Sequence, residues 1–132
     1  MACSYGQLGT VAYDRGDYDE AARQYQRSLG IRERIGDQVG MARNYSQLGT
    51  LEEKRGGSIA AAVAWHVRAL AIRLSLGVPR AEINLRRLTA HRRELGREPF
   101  TRLLNQAADS TDLAEASTSL LDRVEKTDGG TA

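Results

Sequence analysis

Cysteine is nearly absent from this chain: a lone Cys3 cannot close an internal disulfide, which excludes a disulfide-stapled secreted fold and fits a reducing cytoplasm. Set so near the start, it reads as a spectator thiol. Only two prolines and little clustering of β-branched residues argue against a sheet. No uninterrupted apolar run approaches the roughly twenty residues of a membrane span; the longest, Ile59 to Trp65, is mostly alanine. No basic stretch leads into an apolar one at the N-terminus, so no secretory signal is expected. Phosphate-cradling Gly-x-x-x-x-Gly-Lys, nucleophile-elbow and two-histidine metal motifs are all missing.

What is present is repetition. Tyr5-Gly6-Gln7-Leu8-Gly9-Thr10 returns forty residues later as Tyr45-Ser46-Gln47-Leu48-Gly49-Thr50, with five of six residues identical. A fixed period of this length is the signature of stacked helical units. Arg15-Gly16 and Arg55-Gly56 follow as turns, and a second helical stretch recurs at an offset of forty-one because Gly57 is an extra residue. It reads Ala21, Tyr25, Ser28 and Leu29, then Ala62, His66, Ala69 and Leu70. Ile35-Gly36 and Leu76-Gly77 close the helices, with glycine accepting the left-handed conformation. Asp17, Asp37 and Ser58 stand where N-caps are needed. A third unit keeps Leu88 at the equivalent of Leu48 and ends in Leu95-Gly96. Pro79 is expected in the first turn of the next helix, and Pro99 to start the helix after that. Phe100, Leu103, Leu104 and Ala107 share one face of the second of these. A last amphipathic helix carries Leu113, Leu120, Leu121 and Val124, with Asp112 and Glu115 as its expected capping pair.

These residues resemble the tetratricopeptide repeat family. Its first-helix pattern appears as Tyr5, Leu8, Gly9 and Ala12, and its second-helix pattern as Ala21, Tyr25 and Ser28. The second unit matches at Tyr45, Leu48, Gly49, Ala62, His66 and Ala69, departing with Glu52 where Ala12 stood and His66 at the aromatic position. The forty-residue period is similar to the variant found in kinesin light chains and large bacterial NTPase regulators, and the resemblance covers residues 2 to about 96. It implies an all-α, right-handed α-solenoid of antiparallel helix pairs, about two and a half repeats plus a C-terminal capping helix. The expected units are about 2–36, 37–77 and 78–108, with the cap at about 111–126, in a single domain of residues 1–126. Residues 127–132 are expected to form a disordered tail.

The resemblance also implies a concave groove lined by the first helix of each pair. The groove positions it carries over include Cys3, Tyr13, Asp14, Arg43, Ser46, Thr50, Glu53, Lys54, Ile83, Arg86 and Arg93. Tyr13, Arg43, Arg86 and Arg93 are the expected anchors, since aromatics and arginine dominate binding hot spots. The family's chaperone-tail clamp is not expected: its positions hold Gly6, Thr10, Gln47, Ile83 and Arg87, of which Arg87 and weakly Gln47 fit. The implied function is a non-enzymatic protein-interaction scaffold that takes a peptide or helix. Alternatives are the sensor or oligomerisation module of a larger bacterial nucleotide-switch regulator, and an accessory subunit of an enzyme. The first unit has nothing upstream to cover it, which suggests a homodimer through that unit or a piece of a longer array.

Charge is unevenly spread. Residues 80–102 hold seven arginines against three glutamates, while residues 103–132 hold six acids against two bases. The bland expectation is that the acidic last helix folds back on the basic one. Nucleic acid is not the expected partner, because the net charge is only +2 and no reading element is present. Neither metal nor cofactor is expected: His66 reads as a packing histidine, His91 lacks ligand-spaced partners, and the acids from Asp14 to Glu20 sit in a turn rather than a calcium loop. Arginine outnumbers lysine seventeen to two, consistent with a GC-rich bacterial genome.

Overall fold

The computed structural model describes residues 2–130. Seven helices follow one another with no strand among the described residues: α1 (Ala2–Asp14), α2 (Tyr18–Ile35), α3 (Gln38–Lys54), α4 (Ile59–Leu76), α5 (Ala81–Leu95), α6 (Arg97–Ala107) and α7 (Thr111–Gly130). The boundaries follow from local chemistry. Asp17, Asp37 and Ser58 cap α2, α3 and α4, accepting from the amides of Glu20, Gly40 and Ala61 at 3.3, 3.0 and 3.1 Å. Gly36 and Gly77 take left-handed angles, φ 74° and 67°, and turn the chain so that the next amide bonds back to Arg32 and Arg73.

Four boundaries differ from expectation. The Ser110 hydroxyl, not an Asp112–Glu115 pair, caps α7, accepting from the Leu113 amide at 3.1 Å. Pro79 lies in the turn before α5, and α6 starts at Arg97, ahead of Pro99. Helix α7 also continues to Gly130, past residue 126; residues 131 and 132 of the expected tail lie outside the described residues.

Packing is that of an all-α repeat solenoid. Helices α1 and α2 pair, α3 and α4 pair, and α2 on α3 and α4 on α5 join successive units. The pairs approach closely because the first helix of each presents glycine to the bulky residue of the second. A Cβ on Gly9 would lie 2.6 Å from the Tyr25 ring, and one on Gly49 would lie 2.7 Å from His66 Nε2. One apolar cluster gathers Ala12, Ala21, Tyr25, Leu29, Leu48 and Leu51. A second gathers Val63, Val67, Leu70, Leu85 and Leu88 with Phe100, Leu104 and Leu121 of the C-terminal helices. Helix α4 is long and apolar enough to cross a membrane by length and composition, which the longest uninterrupted apolar run did not suggest. Its Val63, Val67 and Leu70 are spent in the core, and it carries buried His66 and Arg73.

The same motif leucine meets two different fates. Leu48 and Leu88 are 3% and 0% exposed because a preceding unit covers them, whereas Leu8 is 52% exposed and Val11 beside it 46%. The expected uncovered face of the first unit is therefore present. Replacing Leu48 with alanine is expected to cost about 2–4 kcal/mol in urea unfolding. Leu8→Ala, the same change at the same motif position, should cost less than about 1 kcal/mol. Equal losses would contradict the assignment of Leu48 to the inter-unit core.

Candidate functional site

The A-type helices α1, α3 and α5 lay side by side the residues of a concave cavity of about 360 Å3. Helix α1 contributes Thr10, Tyr13 and Asp14, α3 contributes Arg43, Ser46, Gln47 and Thr50, and α5 contributes Ile83, with Tyr25 and Arg73 reaching in from α2 and α4. Tyr13 is steadied by Tyr18, their rings 5.6 Å apart and tilted. Thr10 and Tyr25 hydroxyls lie 3.2 Å apart, and burial pushes the Tyr25 phenol up from its ordinary value. The Arg43 side chain is exposed and makes no hydrogen bond or ion pair with any described residue. It also lines a second cavity of about 420 Å3 beside Gly6, Gln7 and Asn44.

Tyr13, Asp14, Arg43, Ser46 and Thr50, five of the positions that the family resemblance implies, thus line one cavity. Ile83 joins them from α5, whereas Glu53, Lys54, Arg86 and Arg93 do not. Lys54 is exposed at the end of α3. Arg86 bonds Glu82 on its own helix at 2.7 Å, and Arg93 lies 3.9 Å from Glu125 on α7. Glu53 points away from this cavity, with its side chain only 10% exposed. The Cys3 side chain lies outside the described residues.

Beneath the groove runs a polar seam. Arg32 donates to the Gly40 carbonyl at 2.9 Å and to Asn44 Oδ1 at 3.3 Å, and Ser28 donates to the same Asn44 oxygen. One unit on, Arg73 donates to the Arg80 carbonyl at 3.4 Å, to Asn84 Oδ1 at 2.7 Å and to Ser46 Oγ at 2.9 Å. Asn84 also bonds Ser46 Oγ and His66 Nδ1, at 2.9 and 3.1 Å. All four of Arg32, Arg73, Asn44 and Asn84 are buried. Buried polar groups of this kind are stabilising only when every partner is in place. The groove residue Ser46 belongs to the seam as well, so the groove floor is tied to the unit junction. A signal for the seam exists in the sequence: Arg32 and Arg73 recur at the forty-one offset, Asn44 and Asn84 at forty.

Glu53 occupies a third polar cluster at the end of α3. His91 Nε2 hydrogen-bonds its carboxylate, His66 Nε2 lies 3.4 Å away, and Arg87 Nε donates to both oxygens at 3.2 and 3.3 Å. Burial raises the Glu53 carboxyl, but the two imidazoles and the guanidinium outweigh it and hold the group well below the ordinary carboxylate range. Among the described residues no group of three or more histidine, cysteine or acidic side chains is arranged to hold a metal ion. The cluster instead locks α3, α4 and α5 together. At the far edge, Arg92 meets Asp122 and Glu125 of α7, each at 2.9 Å, and Arg97 meets Asp122 at 3.1 Å. The acidic last helix therefore does fold back on the arginine-rich one.

A family model described as Tetratricopeptide repeat matches residues 1–75. No curated protein and no solved structure matches the chain.

The Glu53 cluster has a pH signature. A depressed folded-state pKa contributes stability that is fully present above the ordinary value of 4.5 and is lost as pH falls below it. Glu53→Gln is expected to lower stability at neutral pH. The gap to wild type should narrow steadily in urea titrations taken down to about pH 3. A gap that stays constant across that window would contradict a charged Glu53 in the folded chain.

Proposed function

Since the chain belongs to the tetratricopeptide repeat family, whose repeats are generally protein-protein interaction modules, we propose that it is a non-enzymatic scaffold binding an extended peptide or amphipathic helix in the groove of α1, α3 and α5. One observation carries the reading. The Arg43 side chain lines that face with no acidic partner among the described residues, in a cavity it shares with Thr10, Tyr13, Ser46 and Thr50. A ligand carboxylate would meet a forked donor there, and the tyrosine would supply apolar contact. The lone Cys3 supports a cytoplasmic location.

A second reading rests on Leu8 and Val11, the exposed pair on α1. Their equivalents Leu48 and Leu51 are covered by a preceding helix pair, so the same surface on α1 suits a second copy or further repeats. Under this reading the chain is an assembly or sensor module, and the solution mass over a concentration series separates it from a monomeric scaffold.

For the groove, a displayed library of random peptides panned against the folded chain should yield binders whose affinity falls at least about tenfold with Arg43→Glu and is restored in part by Arg43→Lys. Amide shifts in the complex should fall on α1, α3 and α5. Binders that map to the outer faces of α2 and α4, or that ignore Arg43→Glu, would contradict the groove.

A further inference from the structure

The two unit junctions carry the same buried arginine with different company. In the first, Asp37 serves twice: it caps α3, and its second oxygen lies 3.7 Å from Arg32 Nε, giving the buried guanidinium a counter-charge. In the second, the residue at the forty-one offset is Val78. Arg73, 6% exposed, is left with neutral acceptors alone: Ser46 Oγ, Asn84 Oδ1 and the Arg80 carbonyl. No side chain caps α5 either. Two further arginines stand where a counter-charge is wanted. Burial, Arg80 and Arg43 all push the Arg73 guanidinium below its ordinary value. Neither Arg43 nor Arg80 pairs with an acidic group among the described residues.

These arginines share a cavity of about 230 Å3 whose other walls include Val39, Leu76 and Val78, and none of its lining residues is acidic. We propose that this cavity is a binding site for a short aliphatic carboxylic acid, the carboxylate held by Arg43, Arg73 and Arg80 and the carbon chain laid on Val39, Leu76 and Val78. The ligand supplies the counter-charge that Asp37 supplies one unit earlier. A guanidinium cluster offers forked donors matched to a carboxylate, and an apolar wall selects a carbon chain over a bare ion. The site adjoins the groove through Arg43 and Arg73, and it stands whether or not the groove takes a peptide.

The test is a titration of the isotope-labelled full chain with hexanoate, acetate, inorganic phosphate and hexanol, at constant ionic strength set with sodium chloride, following backbone amides. Hexanoate should saturate, with shifts confined to residues 39–43 and 73–82, and bind about tenfold tighter than acetate or phosphate. Hexanol should not saturate the site. Arg43→Gln and Arg80→Gln, both at exposed positions, should each weaken hexanoate at least about tenfold without changing the helical spectrum. Val78→Asp restores the missing carboxylate internally, so it should raise the melting temperature and abolish hexanoate binding. Equal affinity for hexanoate and acetate, shifts spread along the arginines of α5, or unchanged binding in Val78→Asp would each overturn the proposal.

Discussion

A guanidinium taken out of water must find acceptors for its donors, and this requirement sets the spacing of the solenoid. Arg32 and Arg73 sit at the ends of α2 and α4 and reach across to the start of the following helix, where a backbone carbonyl and an asparagine amide oxygen receive them. Neither acceptor can be met unless α3 lies correctly on α2, and α5 on α4. Apolar contacts between helices tolerate some sliding; directed bonds from a buried charge do not. The concave face is a consequence. Because Ser46 accepts from both Arg73 and Asn84, the bonds that register the third unit on the second also fix the floor beneath Arg43 and Thr50.

Within each unit a different constraint operates. Gly9 and Gly49 let Tyr25 and His66 press against the backbone of the partner helix, so the pair is held by contact that any larger side chain would disturb. Substituting histidine for tyrosine in the second unit adds a polar edge to that contact. His66 then links the Asn84 seam on one ring nitrogen to Glu53 on the other. Polar groups thus follow one another from the unit junction to the turn end of α3, with His66 Nε2 3.4 Å from the Glu53 carboxylate. The arginines at the C-terminal edge are answered by α7, while those at the α4–α5 turn are not, which makes the two ends of α5 chemically unlike.

The repeat made much of this legible in the sequence. Caps at Asp17, Asp37 and Ser58, the buried Leu48 and Tyr25, the packing role of His66 and the return of the acidic helix all follow from period, capping chemistry and charge. Five of the positions carried over from the family resemblance line one cavity, because they share a face along α1 and α3. Glu53 does not: it lies three residues beyond Thr50 at groove spacing, but two histidines and an arginine from other helices draw its carboxylate inward, and such pairing is invisible to periodicity. Arg93 was lost for a similar reason, since Glu125 is thirty-two residues away along the chain. The seam was missed because polar residues on helices read as solvated surface unless their recurrence at the repeat offset is weighed. Irregularity at α6 and α7 exceeds what a repeat pattern specifies, as Ser110 in place of Asp112 illustrates.

The seam is tested most directly by a double-mutant cycle on Arg73 and Asn84, with Arg73→Met and Asn84→Ala made singly and together and unfolding free energies measured in urea at neutral pH. If the two residues hold the junction as a bonded pair, the double mutant should be less destabilised than the sum of the single changes, with a coupling of about 1–3 kcal/mol. Additivity to within about 0.5 kcal/mol would show that the junction is held by apolar packing alone and that the buried arginine does not register the units.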